Sequence, residues 1–132
     1  MKKGSRIIAA CILLVYAGAG MVSCSHLEKK VDSPVIDDGT LILRFENSSA
    51  RTVQVAADWN NWAQGDAEQG EILVGLMEKD ERSGIWETSV TLRAGRYRYL
   101  FLVNELNWVL DPDNPRVVDD GRGGKANLVI MP

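Results

Sequence analysis

From Leu41 onward apolar residues recur at every second position, the period of a strand with one face in a core and not the 3.6-residue period of a helix. Leu41, Leu43 and Phe45 alternate with Ile42, Arg44 and Glu46. Val53, Val55 and Ala57 alternate with Thr52, Gln54 and Ala56. Residues 72–78 predict a further apolar strand. Trp86, Thr88, Val90 and Leu92 face one way, and Tyr97, Tyr99, Phe101 and Val103 form the most regular inward row of the chain. Residues 108–110 predict a short strand and residues 126–130 the last one. Turn residues punctuate these runs at Asn47-Ser48-Ser49-Ala50, Glu81-Arg82-Ser83-Gly84 and Ala94-Gly95, and residues 64–70 form a polar loop. Six to eight short strands without a helical stretch after residue 40 predict an all-β fold, an immunoglobulin-like antiparallel β-sandwich over residues 40–132.

The first residues follow a different rule. Lys2, Lys3 and Arg6 form a positive start, and residues 7–19 are apolar or small apart from Tyr16. Such a run suits the core of a signal peptide and falls short of the roughly 20 residues a spanning helix needs. It closes on Met21-Val22-Ser23-Cys24, which resembles the bacterial lipoprotein cleavage box. The resemblance implies a signal peptide over residues 1–23, with Cys24 lipidated and made the mature amino terminus. Ser25 after that cysteine implies sorting to the outer membrane of the bacterial envelope. Acyl chains contribute about 0.8 kcal/mol per buried CH₂, so two or three of them anchor a protein for good. Residues 24–39, rich in charge and containing Pro34, read as a tether to the membrane.

Charge and cysteine count then narrow the chemistry. The whole chain carries 15 basic and 18 acidic residues. Three of the basic ones precede Cys24 and no acidic one does, which leaves 12 against 18, about −6, for the remainder. An acidic domain repels polyphosphate, so nucleic acid is a poor partner. Cys11 and Cys24 both lie in the amino-terminal segment and the single histidine, His26, follows them closely. The folded part therefore lacks the residues for a disulfide, a thiolate or histidine metal site, or a histidine triad. Asp111, Asp113, Asp119 and Asp120 match no calcium-loop spacing, and Pro112 and Pro115 explain two of them as turn formers. Gly121-Arg122-Gly123-Gly124 precedes a strand instead of a helix, which argues against a phosphate cradle. No cofactor is expected.

One family brings these signals together. Val53-Gln54-Val55, Asp58-Trp59-Asn60-Asn61-Trp62, Met77, Gly84-Ile85-Trp86, Gly95-Arg96-Tyr97-Arg98-Tyr99-Leu100-Phe101-Leu102-Val103, Trp108 and Asp111-Pro112-Asp113-Asn114-Pro115 follow in order. The series resembles the glycogen-binding module of carbohydrate-binding family 48, found also in the beta subunit of AMP-activated protein kinase. The resemblance covers about residues 41–131. It implies a non-catalytic domain in which glucan rings stack on two tryptophans, here Trp62 and Trp108. A lysine and an asparagine add hydrogen bonds in that family; their places fall here on Leu100 and on Asn127 or Ala126.

An indole offers a flat, rigid face to a sugar ring and keeps an N–H for a hydroxyl. Trp59 and Trp86 belong to the expected core. Trp62 lies in a polar setting with Asn60, Asn61 and Gln64, so Trp62, Trp108, Leu100, Asn60 and Asn127 are the candidate carbohydrate-binding residues. Arg96 and Arg98 share the face of Leu100 and are candidate donors in the missing lysine's place. A sandwich of this size has little room for the deep cleft of a glycosidase, so catalysis is not expected. The expected ligand is an α-glucan or related oligosaccharide. The alternative is an envelope interaction protein that holds a partner protein on the same sandwich, through outward Leu100 and Leu102.

Overall fold

A computed structural model describes residues 30–65 and 73–132. The signal peptide, Cys24 and most of the expected tether lie outside the described residues. Among the described residues nine strands form two antiparallel sheets: β1 (Val35–Asp37), β2 (Thr40–Glu46), β3 (Val53–Ala57), β4 (Glu78–Asp80), β5 (Ile85–Thr91), β6 (Gly95–Val103), β7 (Asn107–Val109), β8 (Val117–Asp119) and β9 (Lys125–Met131). One sheet has the order β1-β2-β5-β4. The other has the order β3-β6-β9-β8, with β7 paired to the far end of β6. The fold is the all-β sandwich that the alternation predicts.

Its core lies between the sheets. Leu41, Leu43 and Phe45 of β2 and Trp86 of β5 meet Val53, Val55, Tyr99, Phe101, Val103, Val129 and Met131 of the other sheet, all buried. Phe45 and Phe101 touch across the gap with ring centres 4.8 Å apart. Trp86 is buried and donates its indole N–H to the Asn47 carbonyl at 2.8 Å. Trp59 packs at one end of this core against Tyr97 and Tyr99.

Three expectations need correction. Folding begins before residue 40: Val31 and Ser33 are buried, and β1 pairs with β2, so the end of the expected tether is part of the domain. Of the described residues in the strand expected over 72–78, only Glu78 belongs to a strand, because Gly75 turns the chain at φ +73° and Leu76 makes an isolated bridge to Gln54. That loop runs along the edge of β3, where Val55 N–H donates to the Gly75 carbonyl and Met77 N–H to the Val53 carbonyl, both at 2.8 Å, and all five residues of β3 are buried. A 3₁₀ segment, Asp58–Ala63, also occurs in the part of the chain after residue 40 for which no helical stretch is expected.

The Ser33 side chain enters a buried polar cluster behind the sheet. Asp111, 1% exposed, accepts from Ser33 Oγ at 2.9 Å, from Tyr99 Oη at 2.7 Å and from the Asp113 N–H at 2.9 Å. A buried carboxylate persists only where donors replace its water, and here three do so.

Candidate carbohydrate-binding groove

The outward face of the β3-β6-β9-β8 sheet carries the site. Side chains alternate along β6, so the inward Tyr99 and Phe101 leave Leu100 and Leu102 pointing away from the core. Leu102 stands opposite Trp108 across the β6–β7 hairpin, which puts the Trp108 indole on the same side. That indole is 54% exposed. The 3₁₀ segment after β3 brings Trp62 to the same groove. Trp62, Leu100, Trp108 and Leu110 form its apolar part, and Asp120, Arg122, Gly124 and Lys125 of the β8–β9 hairpin form its polar rim. The volume is about 530 Å³, within the range of small-molecule sites. A second depression of about 600 Å³ on the other sheet is lined mostly by charged and hydroxyl side chains, Arg44, Glu78, Lys79 and Glu87 among them. Only the first offers aromatic faces.

Trp62 is held in place at some cost. Asn61, Trp62 and Ala63 have φ of 53°, 56° and 56°, a left-handed run that side chains with a Cβ avoid. Asn60 secures it: its Oδ1 accepts the N–H of Ala57 at 2.9 Å and of Ala63 at 3.2 Å, and its Nδ2 donates to the Val55 carbonyl at 2.7 Å. Backbone strain of this kind clusters at binding sites, where the surroundings over-determine it.

The electrostatics are set by paired groups. Asp58 accepts the Arg98 backbone N–H at 2.8 Å and takes Nε and Nη2 of the same residue at 3.1 and 3.0 Å. Burial alone would raise the Asp58 pKa, but the Arg98 bonds and charge, helped by the Trp62 indole, hold it below the usual value. The guanidinium carbons of Arg98 and Arg122 stand 5.9 and 5.8 Å from the Trp62 ring centre, inside cation–π range. Asp120 is also held low, first by the backbone N–H groups of Arg122 and Gly124.

The structure therefore brings Trp62, Trp108 and Leu100 together and sets Asn60 and Asn127 apart. Asn127 is fully buried, because β9 pairs it with Tyr99 and so turns it to the core side. Its Oδ1 accepts the Asp111 N–H at 2.7 Å, and its Nδ2 donates to the Asn114 carbonyl at 3.0 Å. It supports the polar cluster and cannot reach a ligand in the groove. Asn60 serves the Trp62 turn, with its amide spent on backbone. Leu100 is 8% exposed and lines the groove as its floor. Arg98 is spent on Asp58, and Arg96 does not line the groove. Sequence reasoning missed Leu110, Arg122 and Lys125. The one signal for Arg122 was its position between glycines at a hairpin tip, where a side chain projects from a tight turn.

Among the described residues no group of His, Cys, Asp and Glu side chains is arranged to hold a metal ion. No protein-family model matches the chain, and no curated protein matches it.

Proposed function

We propose that this protein is a non-catalytic carbohydrate-binding module, held by lipid on Cys24 at the outer membrane of a bacterial envelope, that takes α-glucan or a related oligosaccharide in the Trp62–Trp108 groove. The observation that carries the reading is the meeting of two indoles, from separate stretches of chain, over the Leu100 floor of one open groove. Its apolar floor and charged rim match the two sides of a sugar, which has an apolar ring face and a hydroxyl edge. The resemblance to family 48 points the same way. Glycoside hydrolysis needs two opposed carboxyl groups; among the described residues Asp120 is the one carboxylate lining the groove, and its Oδ1 is occupied by backbone N–H groups.

Each indole face offers roughly 100 Å² of apolar area, about 2.5 kcal/mol before ordering costs. Two such faces predict a single-site Kd on the order of tens of micromolar to millimolar, which many anchored copies on one polymer strengthen by avidity. The test is titration of the purified protein with maltoheptaose, followed by tryptophan fluorescence. A saturable change is expected; folded protein with no change at about 10 mM sugar defeats the reading.

A second reading, an envelope protein that docks a partner protein, draws on Leu106, 78% exposed at the β6–β7 turn beside Trp108. Docking there would depend on Leu106, whereas sugar stacking would not.

A further inference from the structure

The cations near Trp62 are not equivalent. Arg98 has spent its donors: Nε and Nη2 go to Asp58, and Nη1 goes to the Asp120 carbonyl at 2.9 Å. Lys125 Nζ is tied to Asp119 Oδ1 at 2.6 Å. Arg122 differs. It lies exposed on the groove rim, and among the described residues its guanidinium has no carboxylate partner and no hydrogen bond.

The hairpin tip is shaped to present that side chain. Gly121 and Gly123 turn the backbone at φ +81° and +89°. Asp120 Oδ1 accepts the N–H of Arg122 at 2.6 Å and of Gly124 at 3.0 Å, and the Asp120 N–H donates to the Gly124 carbonyl at 3.1 Å. The loop is thereby closed on itself, with Arg122 outside it and over the Trp62 ring. The charges of Arg98 and Lys125 are answered by Asp58 and Asp119. Asp120 Oδ1 is taken by the backbone N–H groups of Arg122 and Gly124, and among the described residues no ion pair joins its carboxylate to a guanidinium. What remains unanswered in the groove is a fork of N–H donors.

We infer that Arg122 makes the groove selective for saccharides bearing an anionic substituent, a carboxylate or a phosphate ester, over neutral glucan of equal length. The inference rests on the carbohydrate reading above and names the ligand class within it. A guanidinium has five donors and no acceptor. Its planar fork matches two oxygens of one anionic group, while a neutral hydroxyl engages it one bond at a time and without charge. Contact with the indole restricts the side chain beforehand, so less freedom is lost when the anion arrives.

Three probes test it: maltoheptaose, a maltodextrin carrying a 6-phosphate, and a glucuronate-containing oligosaccharide of similar length. Each is titrated against the wild-type protein, Arg122→Gln and Trp108→Ala. At least one anionic probe binds about tenfold tighter than maltoheptaose to the wild type. Arg122→Gln weakens that probe about tenfold more than it weakens maltoheptaose. The two anionic arms distinguish carboxylate from phosphate. Equal affinity for neutral and anionic probes overturns the inference and leaves the carbohydrate reading standing, as does a preference that persists in Arg122→Gln. Failure of the carbohydrate reading looks different: no probe binds, or Trp108→Ala weakens none of them.

Discussion

Leu102 and Trp108 face one another across the β6–β7 hairpin, and this register puts the exposed indole over the same side of the sheet as Leu100. A slip of one residue would send Trp108 to the core side and destroy the groove. The turn between the strands is pinned against such a slip. Asn104 and Glu105 take φ of 51° and 61°, and Asn104 Oδ1 accepts the N–H of Arg51 at 2.7 Å and of Thr52 at 3.2 Å. The exposed tryptophan thus owes its place to an asparagine that never touches the groove.

Replacing Trp108 separates binding from folding. Because the indole is 54% exposed, Trp108→Ala changes the free energy of unfolding by no more than about 0.5 kcal/mol. The same variant weakens maltoheptaose binding about tenfold or more, through lost stacking area. Trp86→Ala, at a buried indole, instead costs about 3–5 kcal/mol of stability. Denaturant melts and fluorescence titrations on the two variants give the comparison.

Ser33 ties the amino-terminal segment to the sandwich. Its Oγ donates to the buried Asp111 at 2.9 Å and accepts the Arg44 N–H at 3.1 Å. Ser33→Ala leaves a buried carboxylate short of one donor and destabilises the domain by about 1–3 kcal/mol. A fragment that starts at residue 39 loses more, since β1 and Val31 go with it. Urea unfolding of the two proteins, with the groove probed by sugar in each, measures both effects. Equal stability of Ser33→Ala and wild type would remove the latch.

The parts of the fold legible in the sequence are those with one dry face and one wet face. β2 and β5 alternate for that reason, and Leu41, Leu43, Phe45 and Trp86 from their inward rows join Tyr99, Phe101 and Val103 of β6 in the observed core. β3 hides this rule, because both of its faces are buried and residues 75–77 pair along its edge. β1 and β8 are three residues long and exist only through their partners, so no local pattern marks them. The site divides in the same way. Two tryptophans in polar surroundings announce themselves, whereas Asn127 looks like an available amide until the β9 register turns it inward. Arg122 reaches Trp62 only once the sheet has assembled.

Tyr99 gives the domain an alkaline limit. Burial, and then the charge of Asp111, push its phenol well above the ordinary value of 10.0. The unfolded chain releases that proton near pH 10 and the folded chain retains it. Its contribution to stability is therefore complete below about pH 10 and is lost above it, by up to about 1.4 kcal/mol per pH unit. Tyr99→Phe also removes a 2.7 Å bond to Asp111 and an acceptor for Asn114. We expect it to be less stable at pH 8 by about 1–3 kcal/mol, with a shallower decline above pH 10. Parallel decline in the two proteins would show that Tyr99 is not the titrating group.

Asp58 supports the groove from behind, and its ionisation supplies the sign of the test. It opens the Trp62 segment and grips Arg98 through three N–H groups, while Arg98 in turn stands against the Trp62 ring. Its pKa lies below the ordinary 3.8 in the folded chain. The support it gives is therefore present above that value and is lost as pH falls through the lower, folded one. Asp58→Asn keeps the shape and removes the charge, so Arg98 is held less firmly and saccharide affinity falls about fivefold at neutral pH. The ratio of wild-type to variant affinity stays constant from about pH 8 to pH 5, because neither protein titrates at this position there. Once the pH falls through the lowered, folded pKa, the ratio shrinks toward one as the wild-type carboxyl takes up its proton and comes to resemble the amide. Titrations of both proteins with maltoheptaose across that range read the ratio directly. Equal affinity of Asp58→Asn and wild type at neutral pH would mean that Trp62 keeps its position without the Asp58–Arg98 pair.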